Sequence, residues 1–131
     1  IMSKIKTEND INFVFQELES KGDLKAHQSS ELQPIIMQIV RHEQLKDFFL
    51  PDLTVYNERD ILISGGLISR PDRIVVNNKL ETVIIDYKTG AVRPSHQNQI
   101  MEYQVILEEM GFNVVKRILV YINEDIQVKE F

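Results

Sequence analysis

Apolar residues recur with two different periods along the chain, and the change falls near Pro51. Before that point they are spaced three and four residues apart, which is typical of amphipathic helices. Thr7 is expected to cap the first helix. A second helix is expected to begin near Ser29, because Pro34 is tolerated only in a first helical turn. The pattern therefore predicts a helical part over residues 1–50.

After Pro51 the apolar positions alternate, as they do in half-buried strands. One strand is expected over 53–63, a two-residue turn at Gly65-Gly66, and a returning strand over 67–76. The proline at position 71 is expected to distort that returning strand, since it cannot donate to a sheet ladder. The run at 83–85 is apolar on both faces, which predicts a central strand.

A long helix is predicted to begin at Pro94 and to stop at Gly111. Its buried side is predicted to carry Ile100, Tyr103, Leu107 and Met110. Two more strands are expected, over 114–122 and 126–131. This order predicts an α/β fold in which helices flank a mixed sheet. We interpret the 131 residues as a single domain whose core spans 51–131.

Two acidic residues stand at matching positions on either side of the predicted hairpin between the apolar runs 74–76 and 83–85. If its turn centres on Lys79, Ile74 faces Ile84 and Asp72 faces Asp86. Opposed side chains in a sheet have Cβ atoms roughly 4.5–5.5 Å apart, so two like charges there are destabilising unless a cation lies between them. Hard divalent cations such as Mg²⁺ prefer carboxylate oxygens. The pair therefore predicts a metal site.

Lys88 lies two residues after Asp86 and is expected on the same face of the strand. A metal, a water molecule and a lysine together describe metal-assisted hydrolysis of a phosphodiester. The alternative is that the two acids are solvent-facing strand ends or are paired with arginine, and that Lys88 is an exposed strand residue. We favour the catalytic interpretation because all three side chains share one face.

The composition is that of a water-soluble globular domain, with 43% hydrophobic and 27% charged residues. No apolar run is long enough to span a membrane. The absence of cysteine excludes disulfides and an iron–sulphur cluster. The net charge of −5 is unusual for a nucleic-acid binder, but residues 70–96 carry five basic side chains against three acidic ones. We therefore expect weak intrinsic affinity for DNA, which another domain would deliver.

Three motifs in a fixed order carry a family resemblance. They are Gly66-x5-Asp72-Arg73, then Ile85-Asp86-Tyr87-Lys88-Thr89-Gly90, then Gln99-x3-Tyr103. The set resembles the RecB-type nuclease domain of the PD-(D/E)XK class, found at the C-terminal end of AddA and RecB helicase–nucleases. The resemblance extends from about Ile5 to Phe131.

The resemblance implies a restriction-endonuclease-like fold and Mg²⁺-dependent hydrolysis of DNA, with Mn²⁺ as a possible substitute. It implies that Asp72, Asp86 and the backbone carbonyl of Tyr87 bind the metal, and that Lys88 positions the attacking water. Four further residues are candidates for contacting DNA or supporting the site: Gln99, Tyr103, Arg70 and Arg73. For Arg70 and Arg73, balancing the nearby acids is the alternative; for Tyr103, it is simple burial.

Glu58 is expected on the strand paired with the one that bears Asp72. It is a candidate second-shell or second-metal ligand, and an ion pair with Arg73 is the equal alternative, since a two-residue turn would place the two opposite each other. His96 lies one turn before Gln99, where a solvated helix start is favoured over a phosphate contact.

The resemblance also implies helicase domains in the same parent chain, a second helicase–nuclease subunit, a role in double-strand break repair and recombination, and a cytoplasmic location. Its metal-binding histidine would fall at or before Ile1, so we expect this fragment to be weakly active or inactive, and we assign no such role to His27. Two other functions stay open: an inactive module that guides DNA, and a standalone endonuclease.

Overall fold

The computed structural model describes residues 2–57, 62–64, 67–69 and 71–131. The chain divides into two compact units, Ile1–Pro51 and Asp52–Phe131. The first contains helices α1 (Asp10–Ser20) and α2 (Ala26–Arg41), with 3₁₀ turns at Met2–Lys4 and Lys46–Phe48. Among its described residues this unit contains no strand, as the helical spacing of its apolar residues predicts.

The two helices begin at positions other than those predicted. Asp10 opens α1 and accepts hydrogen bonds from the backbone N–H groups of Lys6 (3.0 Å) and Thr7 (2.8 Å), so the carboxylate of Asp10 rather than the hydroxyl of Thr7 satisfies the backbone there. The start of α2 near Ser29 is wrong, because the helix begins at Ala26 and contains Pro34 in its interior. The side chain of Gln28 accepts a bond from the Lys25 N–H (2.8 Å) and fixes this earlier start.

The second unit is built on a five-stranded mixed sheet in the order β1-β4-β5-β6-β7. Its strands are β1 (Thr54–Asn57), β4 (Arg73–Val76), β5 (Glu81–Lys88), β6 (Asn113–Ile122) and β7 (Ile126–Glu130). Strands β5 and β6 are parallel, and the other neighbours are antiparallel. The prediction that the run at 83–85 forms a central strand is confirmed, since β5 occupies the middle position.

The predicted long hairpin is divided into two separate pairings. Strands β2 (Leu62–Ser64) and β3 (Leu67–Ser69) form their own two-stranded sheet, with Ser64 opposite Leu67, whereas β1 pairs with β4. The register differs by one residue between the two ladders, so Arg73 pairs with Asn57 and the predicted pairing with Glu58 is wrong. The predicted turn at Gly65-Gly66 lies outside the described residues.

Helix α3 (Pro94–Glu109) joins the parallel strands β5 and β6 and packs on one face of the sheet. Gly111 follows it with a φ of +99°, a left-handed conformation that glycine adopts without a steric penalty. Met110 is more than half exposed at the helix end, so its predicted place in the core is wrong. The core on this face is formed by Ile74, Val76, Ile84, Ile100, Tyr103, Ile106, Leu107, Val114, Leu119 and Tyr121.

No helix in the described part of the chain is both long enough and apolar enough to cross a membrane.

Candidate active site

Asp72 and Asp86 interlock at the open end of the β4–β5 hairpin. The backbone N–H of Asp72 donates to Oδ1 of Asp86 (3.1 Å), and the backbone N–H of Tyr87 donates to Oδ2 of Asp72 (2.8 Å). The predicted hairpin register is confirmed, since Ile74 pairs with Ile84. Each carboxylate therefore binds the strand that carries the other, and the two face each other.

The close approach of the two acids changes the protonation of Asp72. Burial of this carboxyl and its hydrogen bond with Asp86 raise its pKa to about 7, although the Tyr87 N–H and the Lys88 ammonium act in the opposite direction. Asp86 is 3% exposed. If both carboxylates are ionised, Asp72, Asp86 and Lys88 together carry one net negative charge. A proton on Asp72 neutralises that charge.

Lys88 links the carboxylates to helix α3. Its ammonium lies 3.1 Å from Oδ2 of Asp86 and donates a 2.6 Å hydrogen bond to Oε1 of Gln99. The side chain is one-fifth exposed, so its charge is only partly screened by water. These two contacts hold the ammonium on the same face as the carboxylates, as the two-residue spacing predicts.

Helix α3 contributes a row of polar side chains above this face. Tyr103 lies one turn after Gln99 and is buried, and burial together with the charges of Asp86 and Asp72 raises its pKa to about 12. One turn earlier, Nδ1 of His96 lies 2.9 Å from the hydroxyl of Tyr121. His96 therefore contacts the buried residue Tyr121, whereas the sequence favours a solvated position for His96 at the helix start.

The opposite face of the same strands holds Arg73 and Tyr87. Arg73 is fully buried, and this burial does not favour the predicted contact with a phosphate. Burial also raises the pKa of Tyr87, and its hydroxyl has no hydrogen-bond partner among the described residues. Two further predicted site residues, Glu58 and Arg70, lie outside the described residues.

Comparison with protein families identifies the architecture. The family model of the PD-(D/E)XK nuclease superfamily matches residues 8–130, which includes nearly all of both units. The chain belongs to the PD-(D/E)XK nuclease superfamily. The predicted fold, a restriction-endonuclease-like mixed sheet flanked by helices, is confirmed by this match and by the observed sheet.

The crystal structure of SSO0001 is similar over 77% of this chain, with 20% identity and a TM-score of 0.44. The present chain spans 58% of the length of that structure. Comparison with curated proteins gives no match.

PD-(D/E)XK nucleases typically use divalent metals, and the donor set here fits such an ion. Asp72 and Asp86 supply carboxylate oxygens on one face. When both are ionised, their two negative charges exceed the single positive charge of Lys88, and a bound cation would offset the excess. No cluster of three or more His, Cys, Asp or Glu side chains occurs in the part of the chain that the structure describes. Two carboxylates suit an ion that retains several water ligands, as Mg²⁺ does.

Sequence reasoning missed one contact that fixes the loop after Lys88. The side-chain amide of Asn123 accepts a hydrogen bond from the Gly90 N–H (2.9 Å) and donates one to the Gly90 carbonyl (3.1 Å). Gly90 has a φ of +80°, which is unfavourable for other residues. Asn123 lies 33 positions further along the chain, so no local motif signals this pairing.

Proposed function

We propose that this domain hydrolyses DNA phosphodiester bonds in a Mg²⁺-dependent reaction at Asp72, Asp86 and Lys88. The observation that carries the proposal is the interlocked carboxylate pair, with the Lys88 ammonium on the same face. A hairpin selected for stability alone would not place two acids opposite each other in a poorly solvated position.

Each residue has a defined role in this proposal. Asp72, Asp86 and the backbone carbonyl of Tyr87 hold the cation, which when bound lowers the pKa of water and offsets charge on the phosphate. Lys88 orients the attacking water, and its bond to Gln99 restricts the ammonium to one position. The water oxygen forms a bond to phosphorus as the bond from phosphorus to the sugar 3′-oxygen breaks, and that oxygen takes up a proton to become a 3′-hydroxyl, which leaves a 5′-phosphate on the other product.

Gln99 and Tyr103 support the site from helix α3, and the pKa of Tyr103, raised to about 12, keeps its hydroxyl neutral even in alkaline solution. A neutral hydroxyl close to both carboxylates can donate a hydrogen bond without adding negative charge. Arg70 and Glu58 remain candidates for a phosphate contact and a metal ligand. We do not extend the phosphate role to Arg73, because its side chain is fully buried.

We further propose that the domain belongs to an AddA- or RecB-like helicase–nuclease that acts in double-strand break repair and recombination in the cytoplasm. The ordered motifs ending in Gln99-x3-Tyr103 support this assignment. The net charge of −5 supports delivery of DNA by helicase domains of the parent chain and a second subunit, since phosphate attraction by this domain is weak.

A second candidate is a module that binds or guides DNA without cutting it. The observation that favours it is the contact between Lys88 and Oδ2 of Asp86, which occupies one metal-facing oxygen with an ammonium. In that case the ammonium substitutes for the cation, and the site stays structural.

Calorimetric titration of Mn²⁺ into the protein, combined with a Mg²⁺-dependent cleavage assay on linear DNA, tests the proposal. We expect one binding event in the wild-type protein and none in Asp86→Asn. Cleavage should fall by more than the roughly 10- to 100-fold that loss of an outer-shell group costs. Glu81→Gln is the matched control, because it removes an acid from the other end of β5.

Binding and cleavage that survive in Asp86→Asn would overturn the proposed site. A wild-type protein that binds DNA but neither binds Mn²⁺ nor cuts would favour the guiding module instead, if the same result holds for the parent chain that we propose.

A further inference from the structure

We propose that a cavity at the start of helix α3 binds one nucleotide of the DNA strand that is cut, so this inference rests on the proposed function and deepens it. The cavity has a volume of about 370 Å³ and lies between the start of helix α3 and strands β6 and β7.

The cavity lies on the same sheet face as the candidate active site. Tyr121 and Leu119 line it, and in the parallel β5–β6 ladder they are the partners of Lys88 and Asp86. Neighbouring strands are about 4.8 Å apart, so the cavity floor begins one strand away from the proposed catalytic residues. A DNA strand bound at Lys88 therefore has to pass the start of helix α3 to enter the cavity.

The lining combines an apolar surface with two cations. Phe131 and Val92 offer partly exposed apolar surface above the buried floor, and Arg93 and Lys129 contribute positive charge. None of the described residues that line the cavity is acidic. Aromatic and apolar surface accepts a base, while arginine and lysine neutralise phosphate, so the lining is complementary to a nucleotide.

A second cavity, of about 450 Å³ in the helical unit, lacks this complementarity. There the basic residues are matched by acids: Arg41 pairs with Glu8, and Lys46 pairs with Glu43. Charges that are already paired leave little attraction for an anion. The difference in charge pairing assigns the nucleotide to the cavity at the start of helix α3 rather than to the cavity in the helical unit.

The ligand chemistry is that of a nucleoside monophosphate, and it has two sources. One is the unit of the bound strand that flanks the cleaved bond, and the other is a mononucleotide released by cleavage. We favour the flanking nucleotide. A protein with a net charge of −5 attracts DNA weakly overall and needs local contacts with single nucleotides to hold a strand.

Binding of a fluorescent single-stranded octanucleotide, measured by anisotropy without divalent cation over a range of KCl, tests the inference. For single strands the slope of log affinity against log salt changes by about 0.7 for each phosphate contact. We expect Lys129→Gln to reduce the slope by about 0.7 and Arg93→Gln/Lys129→Gln by about twice that amount. Lys79→Gln removes the same charge from the distant β4–β5 turn and should leave the slope unchanged.

The aromatic contribution is tested with Phe131→Leu, which should weaken binding about fivefold or more while keeping the salt slope. The two sources are separated by NMR titration with a deoxynucleoside 5′-monophosphate. Shifts of the Phe131 and Val92 signals with the free mononucleotide identify a product site, and shifts only with the oligonucleotide identify a flanking subsite. Both results support nucleotide binding in the cavity.

Slopes that stay unchanged in the double variant, or shifts that avoid the cavity, would overturn the inference. Failure of the proposed function is seen separately, in a cleavage assay with Mg²⁺ on the same proteins. A protein that shows the slope change but does not cut retains the nucleotide site and loses the nuclease function.

Discussion

The two ends of the β4–β5 hairpin are formed by the same two strands but differ in how their charged groups are compensated. At the turn end, the side-chain oxygen of Asn77 accepts bonds from the backbone N–H groups of Lys79 and Glu81, both at 2.9 Å. Its amide donates to the Glu81 carboxylate at 3.0 Å. Every charged group there faces water or has a neutral partner, so the turn is satisfied by local contacts alone.

At the open end, two carboxylates face each other in a poorly solvated position with one ammonium between them and helix α3. This arrangement raises the pKa of Asp72 to about 7 through burial and the proximity of Asp86. The turn end of the hairpin therefore stabilises the fold. The open end retains an excess of negative charge that a bound cation would neutralise. Three substitutions test this contrast.

The largest effect is expected from removing the ammonium. Lys88→Met leaves the Asp86 carboxylate buried without its cation, and we expect a loss of about 3 kcal/mol in the free energy of unfolding at about pH 8, since breaking a buried pair is costly. Lys79→Met, in the exposed turn, should change stability little. Urea denaturation measures both, and equal losses in the two variants would contradict the proposed contrast.

Asp72→Asn should stabilise the metal-free protein at high pH. The folded-state pKa of about 7 lies above the ordinary value of 3.8, so the folded protein holds a proton that the unfolded chain releases. That contribution is complete below about pH 4 and is lost as the pH rises through about 7. Each pKa unit corresponds to about 1.4 kcal/mol, and Asp72 stays partly solvated, so we expect the variant to gain about 2 kcal/mol at about pH 8.

The stability difference between Asp72→Asn and wild type should shrink as the pH falls and vanish only well below about pH 4, where the wild-type carboxyl is protonated in both the folded and the unfolded state. Thermal unfolding from about pH 3 to about pH 8 measures it, with Glu81→Gln as the control from the turn end. If the stability gained by Asp72→Asn does not vary with pH, the excess negative charge at the open end does not arise from Asp72.

The smallest effect is expected at the turn. Leu80 has a φ of +63° and an exposed side chain, so it occupies a left-handed conformation without compensating packing. That conformation costs roughly 1–2 kcal/mol for an ordinary residue, and asparagine tolerates it better. Leu80→Asn should therefore gain about 1 kcal/mol in denaturant unfolding, whereas Leu80→Ala retains the unfavourable φ and should gain nothing.

Much of the candidate site could be predicted because it is local. The apolar runs on either side of residue 79 specify the hairpin register, since a slip by one residue would turn every side chain to the other face. That register brings Asp72 opposite Asp86, and the two-residue period places Lys88 beside them. The roles of these residues in catalysis stay predictions.

Other features could not be read from local patterns. The one-residue offset between the β1–β4 and β2–β3 ladders made the pairing of Arg73 with Glu58 wrong, because alternation alone does not record where a ladder is interrupted. Pro34 also lies within α2 although propensity places it in a first turn. Propensity is a weak prior, and packing of a helix routinely overrides it.

Local sequence encodes the helical and strand periods, the central strand and the hairpin that carries both carboxylates, because each depends on residues close together in the chain. Tertiary packing brings groups from distant segments to the hairpin and to the cavity. Gln99 reaches Lys88 from α3, Asn123 fixes Gly90 from the β6–β7 turn, and Lys129 brings a cation to the cavity. Those contacts follow from how α3 and β7 pack on the sheet, and no local spacing encodes that packing.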